Sequence, residues 1–398
     1  MAEPAYELKT DRMVLNFGPQ HPSTHGTLRL VLELDGEVVA RVEPHIGYLH
    51  SGFEKLGEYK SYNQWVTLSD RMNYLSPLSN NVGFAQAVEK LLNMEIPERA
   101  KYIRVILAEM SRIADHMVWL GTHALDIGAF TAFLYGFEAR ENLYIIFEHV
   151  TGTRLTTSYT RVGGLFRDVP HDFEEMTRNF LKYYPKVLKE LHGLLTRNRI
   201  WMDRTQNVGY LAKEDAINIG VTGPVLRGSG VPYDVRRNFP YLVYDRLDFE
   251  IPVCDDGDAY SRYLVRMEEL EQSLKIIEQC INDLPDGPVS FFDHKYALPE
   301  KEQVYDTIEG LIHHFKNIMP GHGFEVPEGD IYDATEAPNG ELGFYLVGDG
   351  SHKAYRLRVR GPSFVNFAAV DRMARGAAVS DVVAILGSLN VIAGELDR

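Results

Sequence analysis

Cysteine is scarce in this chain of 398 residues, which holds only Cys254 and Cys280. Two thiols close at most one disulfide, and by themselves they complete neither a tetrahedral zinc site nor an iron–sulfur cluster. Both read as reduced thiols of a cytosolic compartment. Positive charge is also short: 41 Lys and Arg stand against 56 Asp and Glu, a formal −15. No basic run is set apart from that field, so nucleic acid is excluded as a partner. Long apolar runs are missing as well. The most apolar stretch, Val382 to Gly394, is shorter than the ~20 residues of a bilayer-crossing helix and is interrupted by Ser388 and Asn390. Met1 to Met13 carries Glu3, Glu7, Lys9, Asp11 and Arg12 without an apolar run, which reads as no signal peptide and no anchor. Membrane contact is therefore expected only through a partner. Walker, G-x-S-x-G and H-E-x-x-H motifs are absent, and Arg227-Gly-Ser-Gly-Val-Pro-Tyr lacks the third glycine of a dinucleotide loop. Nucleotide chemistry is left to another chain.

What remains is an ordered globular composition, 45% apolar and 24% charged. Thr27 to Val42 reads as a β-hairpin turning on Asp35-Gly36 in a type I′ turn. Apolar residues recur at three and four positions in Pro97 to Gly121, Phe130 to Val150, Phe173 to Leu195 and Tyr260 to Leu284, which predicts long helices. Beyond the Pro- and Gly-rich stretch Pro320 to Gly340, two alternating segments, starting at Gly343 and at Tyr355, read as a second hairpin, and Ser380 to Ala393 as a helix. No repeat, low-complexity tract or linker divides the chain. The expectation is one α+β domain over 1–398, with a β-rich region at 1–60, a helical body at 61–320 and a β-containing region at 321–398.

Histidine is where chemistry concentrates. Fourteen in the chain give about one per 30 residues, yet His21, His25, His45 and His50 fall between positions 21 and 50. In Gly18-Pro-Gln-His-Pro-Ser-Thr-His-Gly26 the prolines and Gly26 shape a loop, so His21 and His25 do not share a helix face and a metal pair is not supported. Either both imidazoles cap loop backbone, or one donates a hydrogen bond and a proton to a carbonyl oxygen. Pro44 to Lys55, with Gly47 and Gly52, reads as a second irregular turn that exposes backbone. Tyr74, among apolar neighbours, reads on residues alone as a core phenol with its hydroxyl tied off. Asp126 is a carboxylate in an apolar string and, if buried, needs a donor; an imidazole suits it. Arg227 to Arg237, counted with Arg246, is either a docking surface or a solvated loop.

Together these strings carry a resemblance. Gly18 to Gly26, His45 to Lys55, His123-Ala-Leu-Asp-Ile-Gly128, Asn198-Arg-Ile-Trp201, Leu226 to Gly230, Tyr233-Asp-Val-Arg236 and Gly394-Glu-Leu-Asp-Arg398 resemble, in order, the D-type, hydrogenase-related subunit of respiratory complex I, the NADH:quinone oxidoreductase. The likeness runs from about Leu15 to the last residue. It implies a fold like the large subunit of nickel–iron hydrogenases, whose metal is held by two Cys-x-x-Cys pairs. The corresponding stretches here, His45 to Lys55 and Gly394 to Arg398, contain no cysteine. No metal is expected without soft thiolates, and quinone is implied in the vacated space.

Carried over, His25 and Tyr74 match the pair that hydrogen-bonds the two quinone carbonyls, and Asp126 matches the carboxylate that partners the histidine. The resemblance further implies an iron–sulfur cluster on a neighbouring subunit, the B, C, I and H subunits as partners, and a peripheral position on the cytoplasmic side of the bacterial plasma membrane. Ser51 stands where many relatives have arginine, and Thr156 where many have histidine. Both losses predict a cluster of lower, less pH-dependent potential, suited to menaquinone. A hydrogenase-type catalytic subunit is disfavoured by the missing thiolates. A scaffold without redox role, or the equivalent subunit of a ferredoxin-driven complex, are the alternatives. The isolated chain is expected not to oxidise NADH.

Overall fold

The computed structural model describes residues 12–293, 295–319 and 323–398; most of the N-terminal stretch read as lacking a leader lies outside them. Leu28, Leu30, Leu32 and Leu34 are all buried while the intervening Arg29, Val31 and Glu33 are partly exposed, the pattern of a sheet with one covered face. The sheet is antiparallel, with strands Met13–Phe17, Arg29–Asp35 and Val38–His45 in that order. The expected hairpin is present, and Met13–Phe17 adds a third strand. Its turn differs from expectation. Asp35 pairs with Val38, so Gly36 and Glu37 form the loop, and positive φ falls on Gly36 alone. That is the requirement of a type II′ turn, with glycine first, rather than type I′.

The helical body centres on Glu98–Asp126, 29 residues and therefore about 43 Å long. Pro97 stands at its start, where a missing N–H costs nothing. The helix passes Gly121, its expected end, because that glycine is where Phe133 of the next helix comes close, with only 3.4 Å to spare for a Cβ. The five further residues carry Asp126 to the helix C-terminus. Phe130–Thr151 and Ala259–Asn282 pack against it. Phe173–Leu195 is a single helix although it contains Pro185. Its stripe Phe173, Phe180, Tyr184, Leu188 and Leu191 is buried while Pro185 faces solvent, so packing outweighs the lost hydrogen bond.

The C-terminal sheet has three antiparallel strands, Gly329–Ala337, Gly340–Gly348 and Ala354–Arg360, one more than the expected hairpin. It packs on helix Pro77–Leu91, with Phe84 5.7 Å from Phe344, ring to ring. The last apolar stretch is two helices, Val379–Leu389 and Ala393–Asp397, separated at Asn390 where φ is +55°. Leu30, Leu32 and Val39 of the N-terminal sheet share a core with Ile385, Leu389 and Leu396. The two ends of the chain thus meet. Among the described residues no helix is long and apolar enough to cross a membrane.

Candidate functional site

Pro22 starts a single 3-10 turn, Pro22–Thr24, between the two histidines of the first cluster. His21 precedes it and accepts from the Ser23 N–H through Nδ1 at 3.2 Å, with its ring 4.1 Å from that of Phe17. His25 follows in the left-handed region at φ +50°, a conformation histidine tolerates better than most residues. The two rings therefore have different fates. His21 is the backbone cap that one reading gave to both, whereas His25 points across the molecule to Asp126, 101 positions away, at 2.5 Å between Nε2 and Oδ2. The carboxylate accepts, so Nε2 carries the proton. Nδ1 of His25 makes no hydrogen bond with a described residue.

The C-terminal helix Ala393–Asp397 is the platform on which the candidate segments converge. Gly26, beside His25, lies against the Ala393 methyl. Gly394 lies on the Arg71 and Met72 carbonyls, each 2.7 Å from where a Cβ would be, so only glycine fits beside the Tyr74 loop. Asp397 accepts from Gly47 N at 2.8 Å and Leu49 N at 2.6 Å, and its own carbonyl accepts from His50 Nδ1 at 2.7 Å. The irregular turn read in the second histidine cluster is thereby held by the last residues of the chain. Glu395, buried on the same helix beside Ser363, is pushed up to about 7 by that burial.

Upstream, the end of helix Val379–Leu389 is fixed by two buried guanidiniums. Arg266 donates to the Ser388 carbonyl at 2.8 Å and Arg262 to the Ser388 hydroxyl at 3.0 Å. Cations at a helix C-terminus oppose its dipole. Burial in the absence of an ion-paired carboxylate pushes them down, to about 9 for Arg262 and about 10 for Arg266.

Tyr74 is half-buried and its hydroxyl makes no hydrogen bond with a described residue, unlike a tied-off core phenol. Burial and then nearby Asp115 raise its pKa, so the phenol keeps its proton. Neither His25 nor Asp126 bonds it directly. Asp115, which sequence reasoning missed, accepts from Asn73 at 3.0 Å and from Asn390 at 2.9 Å. Its signal was an Asp-His pair inside the otherwise apolar run Ile113 to Leu120. His123, one turn before Asp126, is buried between Trp119 and Trp201. Ile46, Tyr48 and Leu49 of the turn held by Asp397 are exposed, as are Leu125 and Phe130 on either side of Asp126 in the chain.

Elsewhere the arginine cluster differs from both readings given to it. Arg227 and Arg236 are buried, with Glu269, Glu336, Asp234 and Glu109 as partners. Arg237 bonds the Phe249 carbonyl and Arg246 reaches Glu98 at 2.8 Å. It is an interior ionic network with committed flanks, not a docking surface, because Asp234 and three acids from distant segments surround its buried members. Cys254 and Cys280 are unpaired. Among the described residues no group of three His, Cys, Asp or Glu is placed to hold a metal ion. Ser51 is exposed and Thr156 half-buried. A cavity of about 570 Å³ opens between Arg161, Phe166, Phe291 and Leu298, and His25, Tyr74 and Asp126 do not line it.

Comparison with known proteins bears on the whole chain. Residues 126–398 match the family described as "Respiratory-chain NADH dehydrogenase, 49 Kd subunit". The D-type subunit of NADH-quinone oxidoreductase from Geotalea uraniireducens is 52% identical over 389 residues, covering 98% of this chain and 99% of the relative. Its counterpart in Geobacter sulfurreducens is 50% identical over 98% of this chain and 99% of its own length. The second of the D-type subunits of Chloroflexus aurantiacus is 51% identical, covering 100% of this chain and 97% of its own. The chain belongs to the family of the 49 kDa subunit of respiratory-chain NADH dehydrogenase, the D-type subunit of bacterial NADH-quinone oxidoreductase.

Proposed function

We propose that this chain is the D-type peripheral-arm subunit of a proton-translocating NADH:quinone oxidoreductase and that His25, Tyr74 and Asp126 form its quinone head-group site. The single observation that carries the reading is the His25–Asp126 hydrogen bond, with His25 Nδ1 and the Tyr74 hydroxyl uncommitted among the described residues. Because Nε2–H is committed to the carboxylate, a neutral His25 presents only a lone pair at Nδ1. To donate there it must be the imidazolium. Reduction of a quinone adds two electrons and two protons. One proton comes from His25 Nδ1, leaving a neutral imidazole still bonded to Asp126; the other comes from the Tyr74 hydroxyl, which is then reprotonated from solvent. Donors at both ends stabilise the charge that develops on the two oxygens.

Electrons are supplied by the iron–sulfur cluster of a partner subunit, since this chain has two separate cysteines. The exposed apolar side chains of Ile46, Tyr48, Leu49, Leu125 and Phe130 suit an isoprenoid tail and the partners that enclose it. Those partners are the B, C, I and H subunits, with the chain on the cytoplasmic face of the plasma membrane and menaquinone as the substrate. The fold relation is to the hydrogenase large subunit. His45 to Lys55 and Gly394 to Arg398, the stretches that would carry thiolate pairs, meet through Asp397, which supports that relation.

Tyr74→Phe tests the site. Membranes carrying it should assemble the complex and reduce ferricyanide normally, while quinone reduction falls ~10-fold or more, a loss of ~1.4 kcal/mol or more of transition-state stabilisation. Unchanged quinone reduction in an assembled variant overturns the two-donor site.

A further inference from the structure

The interior ionic network does not balance. Glu109, Arg112 and His116 come from the central helix, and Arg227, Asp234, Arg236, Glu269 and Glu336 from four other segments; none is more than 2% exposed. Three guanidiniums face four carboxylates, which leaves one negative charge in excess. Adjoining Arg266 is drawn first by Glu269 and then by Asp115, and counting that cation together with Asp115 leaves the same excess of one. A net charge in a dry interior is expensive, and binding one proton removes it.

The carboxylates are unequally served. Glu109 accepts from Tyr244 at 2.6 Å, Ser273 at 2.7 Å, and both Arg112 and Arg236 at 3.1 Å. Asp234 takes the Arg236 guanidinium and the Arg236 N–H. Glu269 takes Arg227 and His116 Nε2, the latter at 2.8 Å. Glu336 receives least, one Arg227 N–H at 2.8 Å and the Val235 N–H at 3.1 Å. His116 Nδ1 has no hydrogen-bond partner among the described residues.

We propose that this network is a buried proton store, holding one exchangeable proton at neutral pH that resides mainly on Glu336 and is shared with His116 across Arg227 and Glu269. Burial and then Asp234 push Glu336 up to about 7, against the pull of Arg227, Arg236 and Arg112. Burial pushes His116 down, although Glu269 and Asp115 favour its charged form and Arg266 opposes it. The acid is thus the principal holder. His116 directly follows Asp115, whose partner Asn73 precedes Tyr74, so the store sits one residue from the groups beside the phenol. A dependence of quinone reduction on this proton rests on the proposed quinone site; the proton itself does not.

The test is difference infrared spectroscopy of the assembled complex between about pH 6 and pH 8, in H2O and D2O. Expected is a carboxylic-acid carbonyl absorption band that grows on acidification, shifts in D2O and amounts to two protons, one on Glu395 and one in the store; the store's share is absent from both Glu336→Gln and Asp234→Asn, since either amide brings the charge sum to zero. A wild-type absorption of one proton or none overturns the store, as does an undiminished absorption after either substitution in an assembled complex. The wild-type measurement decides even where a variant fails to assemble. In Glu336→Gln the quinone-reductase pH profile should also lose one ionisation near neutrality with ferricyanide reduction unchanged. Tyr74→Phe should leave the band in place, so failure of the store and failure of the quinone site are told apart.

Discussion

The interior ionic network and the His25–Asp126 pair use the same chemistry to opposite ends. In the network nearly every hydrogen-bonding position is taken: Arg227 alone serves Glu269, Glu336 and the Tyr233 carbonyl, and Arg236 serves Asp234 and Glu109. At the loop edge, His25 is 21% exposed in its side chain and Asp126 9%, and they share one bond. The His25 Nδ1 and the Tyr74 hydroxyl are left unspent. On the proposed quinone site, burial therefore does not mark the reactive centre. Uncommitted polar atoms at the edge do, because a group already satisfied by the protein has nothing to offer a ligand.

The largest effect that bears on this contrast is expected from Arg227→Met. It leaves Glu269, Glu336 and Asp234 without their common cation, and stranding buried charge costs about 3–5 kcal/mol. Loss of assembly, or a melting transition lowered by many degrees, is the expected result. A variant that assembles within about 1 kcal/mol of wild type in denaturant titration would mean that the network does not hold the fold together. A smaller effect is expected at the loop edge from Asp397→Asn. One of its two oxygens becomes an amide nitrogen facing the Gly47 or Leu49 N–H, and an unsatisfied donor costs about 1–3 kcal/mol. Amide exchange at Gly47 and Leu49 should accelerate by ~10-fold or more with assembly intact. Unaltered exchange would show that the loop is held by other contacts.

Legibility in the sequence follows the same divide. Helix Phe173–Leu195 was readable to the residue because its apolar stripe is local information, and Pro185 did not disturb it. That Asp126 needs a donor was readable from its apolar neighbours. Which histidine supplies it was not readable from the residues and came only with the resemblance, since His25 and Asp126 lie 101 positions apart. Strand Gly329–Ala337 was hidden by acidic residues and flanking Pro and Gly, and is a strand because Asp333 is tied to Gln86 at 2.8 Å and to Lys90. The ionic network was illegible for a deeper reason. Arg227 and Arg236 look the same in sequence whether they face solvent or four acids, and only the fold decides.

The smallest effect is expected where the same ion pair stands in water. Arg372 grips Asp215 through Nε at 3.0 Å and Nη2 at 2.8 Å, a two-pronged contact much like that of Arg104 with Glu89 at 2.8 and 2.6 Å. Their exposures differ: 64% and 28% for the first pair, 0% and 5% for the second. Arg372→Met should change stability by no more than about 0.5 kcal/mol, because solvent and salt already screen that attraction. Arg104→Met strands Glu89 and also frees the Arg161 and Gly164 carbonyls that Arg104 binds, so a loss of about 3 kcal/mol or more is expected. Denaturant titrations of both variants at low and high salt check this. With the contact geometry so alike, a difference in cost is a measure of burial, whereas equal costs would show that the contact itself sets what an ion pair is worth here.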